Sequence, residues 1–122
     1  MRSKVIIDTN GLMIPGQFGL DIFSELGALG FYSYLVPRAS VKELERIVAT
    51  GRGRDKMSAK IALSLLDRCT IIEKSGFADD IITDMAIEMN ASVLTNDTEL
   101  KKRLCSKGVT IVYLRDRTRL SI

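Results

Sequence analysis

Asp8, Asp79 and Asp97 come from three separate stretches of the chain, and each stands beside an apolar run. Asp8 ends KVIID, a run composed to be buried. Asp97 follows Thr95 of SVLT by two residues. Asp79, with Asp80 next to it, opens DDIITDMAIEM. Carboxylates held within a few ångströms of one another repel, and some take up protons unless a cation sits among them. Hard oxygen ligands without His or Cys select Mg²⁺ or Mn²⁺ over zinc. Such ions suit phosphodiester hydrolysis, two of them when roughly 3.5–4 Å apart. The chain contains no histidine, which excludes a histidine general base, a His-dependent nucleophile triad and His-ligated zinc.

Helical phase separates Asp79 from Asp80. Asp80, Asp84 and Glu88 recur at i, i+4 and i+8, a solvated stripe. Asp79 shares a face with Ile82 and Ala86, the face expected to meet the sheet. Each aspartate taken alone fits a turn or an N-cap as well as a catalytic role. Asp97 in TNDTEL and Asp79 could cap their helices, whereas no obvious helix starts within two residues of Asp8. The conjunction of the three carries the chemical reading.

The elements that must position them are read from periodicity. Residues 4–7 predict a strand, and GLMIPGQFG at 11–19 a loop or broken turn. A helix is expected over 20–29, a strand over 32–36 closed by Pro37, and an amphipathic helix over 39–50. GRGRDK at 51–56 reads as a basic, flexible loop, followed by a helix over 57–68 and a strand at 70–72. Helices at 79–89 and 97–107 alternate with strands at 92–95 and 109–114, and the arginine-rich tail has the composition of an added edge strand. Strands apolar on both faces, alternating with helices, predict a parallel sheet covered on both sides. In such a sheet ligands bind beyond the carboxyl ends of the strands, where all three aspartates fall.

The totals are consistent with this. A chain of 122 residues, 46% hydrophobic and 27% charged, is globular in composition and sized for one domain. The net charge of +3 permits a polyanionic partner without demanding one. Cys69 and Cys105 form no CxxC pair and are expected to be reduced thiols in a cytoplasmic protein. No run reaches the length of a membrane helix, and the first strand leaves no room for a signal peptide.

At these residues the sequence resembles a PIN-domain ribonuclease. VIIDTN, with Asp8 and Asn10, matches the family's first motif. FADDIITDMAIEMNASVLTND matches an Asp opening a helix and a following strand ending in T-x-D, with Thr95 as the T and Asp97 as the D. The spacing from Asp97 favours Asp79 over Asp80. The family's second acid is a Glu on the helix after the second strand, and VKELERI supplies it as Glu43. Phase alone does not separate Glu43 from Glu45, since both flank the stripe of Val41, Leu44, Ile47 and Val48. DTNGLMIPGQFGLDIFSEL, GFADD and VYLRDR are similar to stand-alone archaeal-type PIN proteins related to the rRNA-processing endonuclease of the small-subunit processome. VapC-type toxin ribonucleases share the same core motifs. Gly11 stands where related chains often carry a larger apolar residue.

The resemblance implies one PIN domain over residues 1–122, a three-layer α/β/α sandwich with a central parallel sheet. It implies endonucleolytic cleavage of RNA by water with one or two Mg²⁺ or Mn²⁺ ions. Asp8, Glu43, Asp79 and Asp97 would ligate metal, Asn10 and Thr95 would orient ligands or water, and Asp80 would be a substitute or supporting acid. A homodimer and an antitoxin or ribosome-assembly partner belong to the same expectation. Arg52, Arg54 and Lys56 in the 51–56 segment are the expected RNA contacts. No aromatic residue interleaves with the basic runs, so base stacking is not expected from them. A dehalogenase-type phosphatase needs DxD where this chain has Asp8 and Asn10, and a receiver domain needs an Asp ending the third strand, which TIIEKSG lacks. A PIN-like scaffold that binds without cutting would be expected to lose acids, and this chain keeps all four.

Overall fold

Val5, Ile6 and Ile7 are wholly buried, which makes the first strand a central one. In the computed structural model, which describes residues 3–122, strand β1 (Lys4–Ile7) pairs in parallel with β2 (Ser33–Pro37) on one side and β4 (Ser92–Leu94) on the other. β3 (Thr70–Ile72) extends the sheet beyond β2, and β5 (Ile111–Arg115) extends it beyond β4. β6 (Arg119–Ser121) closes the far edge antiparallel to β5, giving the order β3-β2-β1-β4-β5-β6. The arginine-rich tail therefore does form an edge strand.

Alternation along β1 divides the core in two. Val5 and Ile7 enter one cluster with side chains of α1 (Thr9–Phe18), α2 (Ile22–Ala28), α3 (Arg38–Thr50) and α4 (Gly53–Ser64). Ile6 enters the other, with Ile81, Ile82 and Met85 of α5 (Ala78–Glu88) and Leu100 and Leu104 of α6 (Thr98–Ser106). Two helical layers thus cover a mostly parallel sheet, the α/β/α sandwich expected from the sequence.

Two local expectations are corrected. Residues 11–19 are not a loop. Thr9–Phe18 is a helix, with Pro15 inside it and Gly19 capping it at φ 68°. Its glycines serve packing rather than turning. A Cβ on Gly11 would stand 3.0 Å from the Leu94 carbonyl oxygen, and one on Gly16 would stand 2.6 Å from the Ser58 Cα. These contacts let α1 lie close against β4 and α4. Second, the 51–56 segment is not an extended loop. The turn is short because α4 begins at Gly53, where φ is 58°. The next helix accordingly spans Gly53–Ser64 rather than 57–68.

Gly16→Ala is expected to cost about 1–3 kcal/mol, since backbone rather than a flexible side chain must give way. Urea unfolding measures it, and an unchanged midpoint would mean that α1 and α4 separate freely.

The chain leaves β1 towards β2 and returns through β4 on its other side. The order of strands therefore reverses between β1 and β4. A crevice at the carboxyl ends of two such strands is the binding position of open α/β sheets.

Candidate active site

Asp8 directly follows β1, Asp97 lies three residues past the end of β4, Asp79 is the second residue of α5, and Glu43 lies on α3. These four elements meet at one cavity of about 320 Å³, whose polar wall includes Asp8, Asn10, Ser40, Glu43, Asp79 and Asp97. Met13, Ile47 and Ile82 supply apolar wall.

Asp8 is 5% exposed and is the N-cap of α1. The expectation that no helix starts near it is overturned, because the segment taken for a loop is that helix. One carboxylate oxygen accepts the Gly11 N–H at 2.8 Å, an ordinary capping bond. Burial pushes the carboxyl up from 3.8 to about 7. The neighbouring Thr95 hydroxyl and the Gly11 N–H oppose that rise, while the charges of Asp97 and Asp79 add to it. A cap alone does not require burial among other acids.

Asp97 caps α6 in the same way, accepting the N–H groups of Glu99 at 2.9 Å and Leu100 at 3.1 Å. Thr95 is fully buried, and its hydroxyl accepts the Asp97 N–H at 3.0 Å. The Asn10 side-chain oxygen accepts the Asn96 N–H at 3.0 Å, and Asn96 in turn accepts the Leu114 N–H at 3.1 Å. Asn10 and Asn96 therefore fasten the segment bearing Asp97 to the helix behind Asp8 and to β5. Asn96 had no distinguishing signal in the sequence beyond its place in TND.

Asp79 rims the mouth of the cavity and is exposed rather than turned inward to the sheet. Partial burial raises its pKa, Asp97 adds to the rise, and Arg103 opposes it. Asp80 points elsewhere and pairs with Arg103 of α6 at 2.6 Å. Glu43 lines the cavity and lies 3.6 Å from Arg46, whereas exposed Glu45 is not part of the wall. Arg52 and Arg54 are exposed and Lys56 partly so, at the start of α4, and none of the three lines the cavity. Ser40, one helical turn before Glu43, was not singled out from the sequence. Its hydroxyl is buried in the wall and has no hydrogen-bond partner among the described residues.

The donor set fits a hard divalent cation. It is all oxygen, its most buried member is held towards the protonated state by burial and by two other acids, and the orphaned Ser40 hydroxyl shares its wall. Among the described residues no three carboxylates stand close enough to ligate one ion together. A hydrated ion matches that spacing, because Mg²⁺ keeps several waters and is commonly held by one or two carboxylates. Both cysteines are free and lie outside the cavity wall. Burial pushes the Cys69 thiol up to about 11, so it is protonated at neutral pH. Among the described residues no helix is long and apolar enough to cross a membrane.

Comparison with known proteins agrees with this architecture. Ribonuclease VapC9 of Archaeoglobus fulgidus is 29% identical over 117 residues, covering 96% of this chain and 87% of that protein. Ribonuclease VapC4 of Methanocaldococcus jannaschii is 28% identical over 120 residues, covering 93% and 92%. The structure of the PIN domain endonuclease Utp24 superposes with a TM-score of 0.78 at 25% identity, covering 97% of this chain and 90% of that one. The PIN-like domain family model matches residues 5–117, and the chain belongs to that family.

Proposed function

We propose that this protein is a divalent-metal-dependent endoribonuclease. The observation that carries the reading is the shared cavity of Asp8, Glu43, Asp79 and Asp97, drawn from four elements to the β1–β4 switch point. The ribonuclease relatives and the endonuclease neighbour support RNA as the substrate and cleavage as the reaction.

In this reading Asp8, at the buried end of the cavity, and Asp97 would hold the ion, and Asp79 and Glu43 would reach it through its bound waters. A bound divalent ion supplies charge stabilisation to the phosphate and a water of lowered pKa. Asp8 and Asp97 each spend one oxygen on a helix cap, which fixes the direction of the other. Thr95 holds the start of the α6 turn through the Asp97 N–H, and Asn10 sets the distance between the two caps. The Ser40 hydroxyl is free to orient water or a phosphate oxygen. Arg52, Arg54 and Lys56 offer phosphate contacts outside the cavity, so their share of binding weakens with salt.

Purified protein is expected to cleave RNA with Mg²⁺ or Mn²⁺ and to stop when EDTA is added. Equal cleavage with and without chelator would contradict the proposal. For its setting, the motif resemblance favours ribosomal RNA processing. The two VapC relatives favour a second reading, a toxin ribonuclease held by an antitoxin. Expression of the chain alone separates them. Growth arrest relieved by Asp8→Asn marks a toxin, and harmless expression marks a processing enzyme.

A further inference from the structure

We propose that Phe77 is a stacking platform for an unpaired nucleobase next to the cleaved bond. The proposal rests on the endoribonuclease reading above.

Phe77 is 83% exposed. A single exposed aromatic needs no explanation by itself; its position does. Ala78 and Asp79, the next two residues, line the acidic cavity, so the ring springs from backbone no more than about 7 Å along the chain from a proposed ligand. That backbone is fixed. Phe77 is the N-cap residue of α5, and its carbonyl accepts the Ile81 N–H at 2.9 Å. On its other side is Gly76, with φ 134° and no side chain to shade the ring.

The cavity is lined with carboxylates and contains no basic side chain, so by itself it repels a polyanion. A divalent ion would draw the cleaved phosphate itself, but the side chains around it offer the neighbouring nucleotide no attraction through charge. Base–aromatic stacking supplies one without charge, and it tolerates any sequence. A base can lie on the ring only when it is unpaired, since a duplex keeps its bases inside. Phe77 adjoins the acids rather than the basic runs.

The chain has no tryptophan, so Phe77→Trp creates a single fluorescent reporter at the platform. Its emission is expected to be quenched by short single-stranded RNA in EDTA, and not by the same RNA annealed to its complement or by an abasic strand. In cleavage assays Phe77→Ala should raise KM roughly ten- to a hundredfold, as loss of one stacked base implies, with kcat within about twofold. Phe77→Tyr should retain wild-type KM. Tyr32, 72% exposed just before the amino end of β2, is the control, and Tyr32→Ala should change nothing. An unchanged KM in Phe77→Ala, with wild-type protein cutting RNA, overturns the platform and spares the nuclease reading. Should the wild-type protein cut no RNA, the nuclease reading fails, and the fluorescence decides the platform separately: base-dependent quenching supports it and its absence overturns it. A change in oligomeric state in Phe77→Ala, with KM unchanged, overturns it in favour of a protein contact.

Discussion

Asp8→Asn is expected to lower RNA cleavage roughly a thousandfold or more and, in metal-free buffer, to make the protein more stable above about pH 7. The loss of activity corresponds to the several kcal/mol of charge stabilisation that an active-site ion contributes. The gain in stability follows from linkage. The Asp8 carboxyl titrates near 3.8 when unfolded and at about 7 when folded. Between those values the folded state binds more protons than the unfolded state, so wild-type stability falls as pH rises through this window. Asparagine carries no charge and has no such slope. It also caps a helix about as well as aspartate, so the Gly11 bond survives. The two proteins should match below about pH 4, and the variant should lead by on the order of 4 kcal/mol above about pH 7. Asp8→Ala loses the cap as well, which subtracts about 0.5–2 kcal/mol from that lead. Melting curves across pH, run beside cleavage rates, separate the cap from the charge. A variant that melts earlier than wild type at neutral pH would mean that Asp8 is chiefly a structural cap.

Asp79→Asn should cut activity about 10- to 100-fold, whereas Asp80→Asn should leave it within about threefold. The larger figure is the usual effect of disturbing a group that supports a metal site. The two residues are neighbours in sequence with the same chemistry, so the comparison isolates position. Asp79 rims the cavity and feels the charge of Asp97, while Asp80 faces α6 and pairs with Arg103. That pair is exposed on both sides, and its loss should cost no more than about 1 kcal/mol. Equal activities in the two variants, or the reverse ranking, would show that the cavity does not distinguish them.

Much of this was legible because the hydrophobic pattern and the chemistry pointed the same way. Buried runs such as VIID and SVLTND end where a parallel sheet presents its carboxyl edge, so the meeting of Asp8 and Asp97 followed from strand direction alone. The phase argument separated Asp79 from Asp80 but placed Asp79 too deep, since a residue in the first turn of α5 stands above the sheet rather than against it. Glu43 and Glu45 could not be told apart because both border the same apolar stripe, and only the packing of α3 turns one to the cavity. The clearest failure was residues 11–19. Glycine and proline signal a turn locally, yet Gly11 and Gly16 are there to admit Leu94 and Ser58, which are distant in sequence. That error concealed the helix that Asp8 caps.

The most direct test is a crystal of the protein soaked in Mn²⁺, with the ion located by anomalous scattering. The account predicts a peak inside the cavity, bounded by Asp8, Asp79 and Asp97, that disappears in Asp8→Asn. A peak elsewhere, or one that persists in that variant, would contradict it.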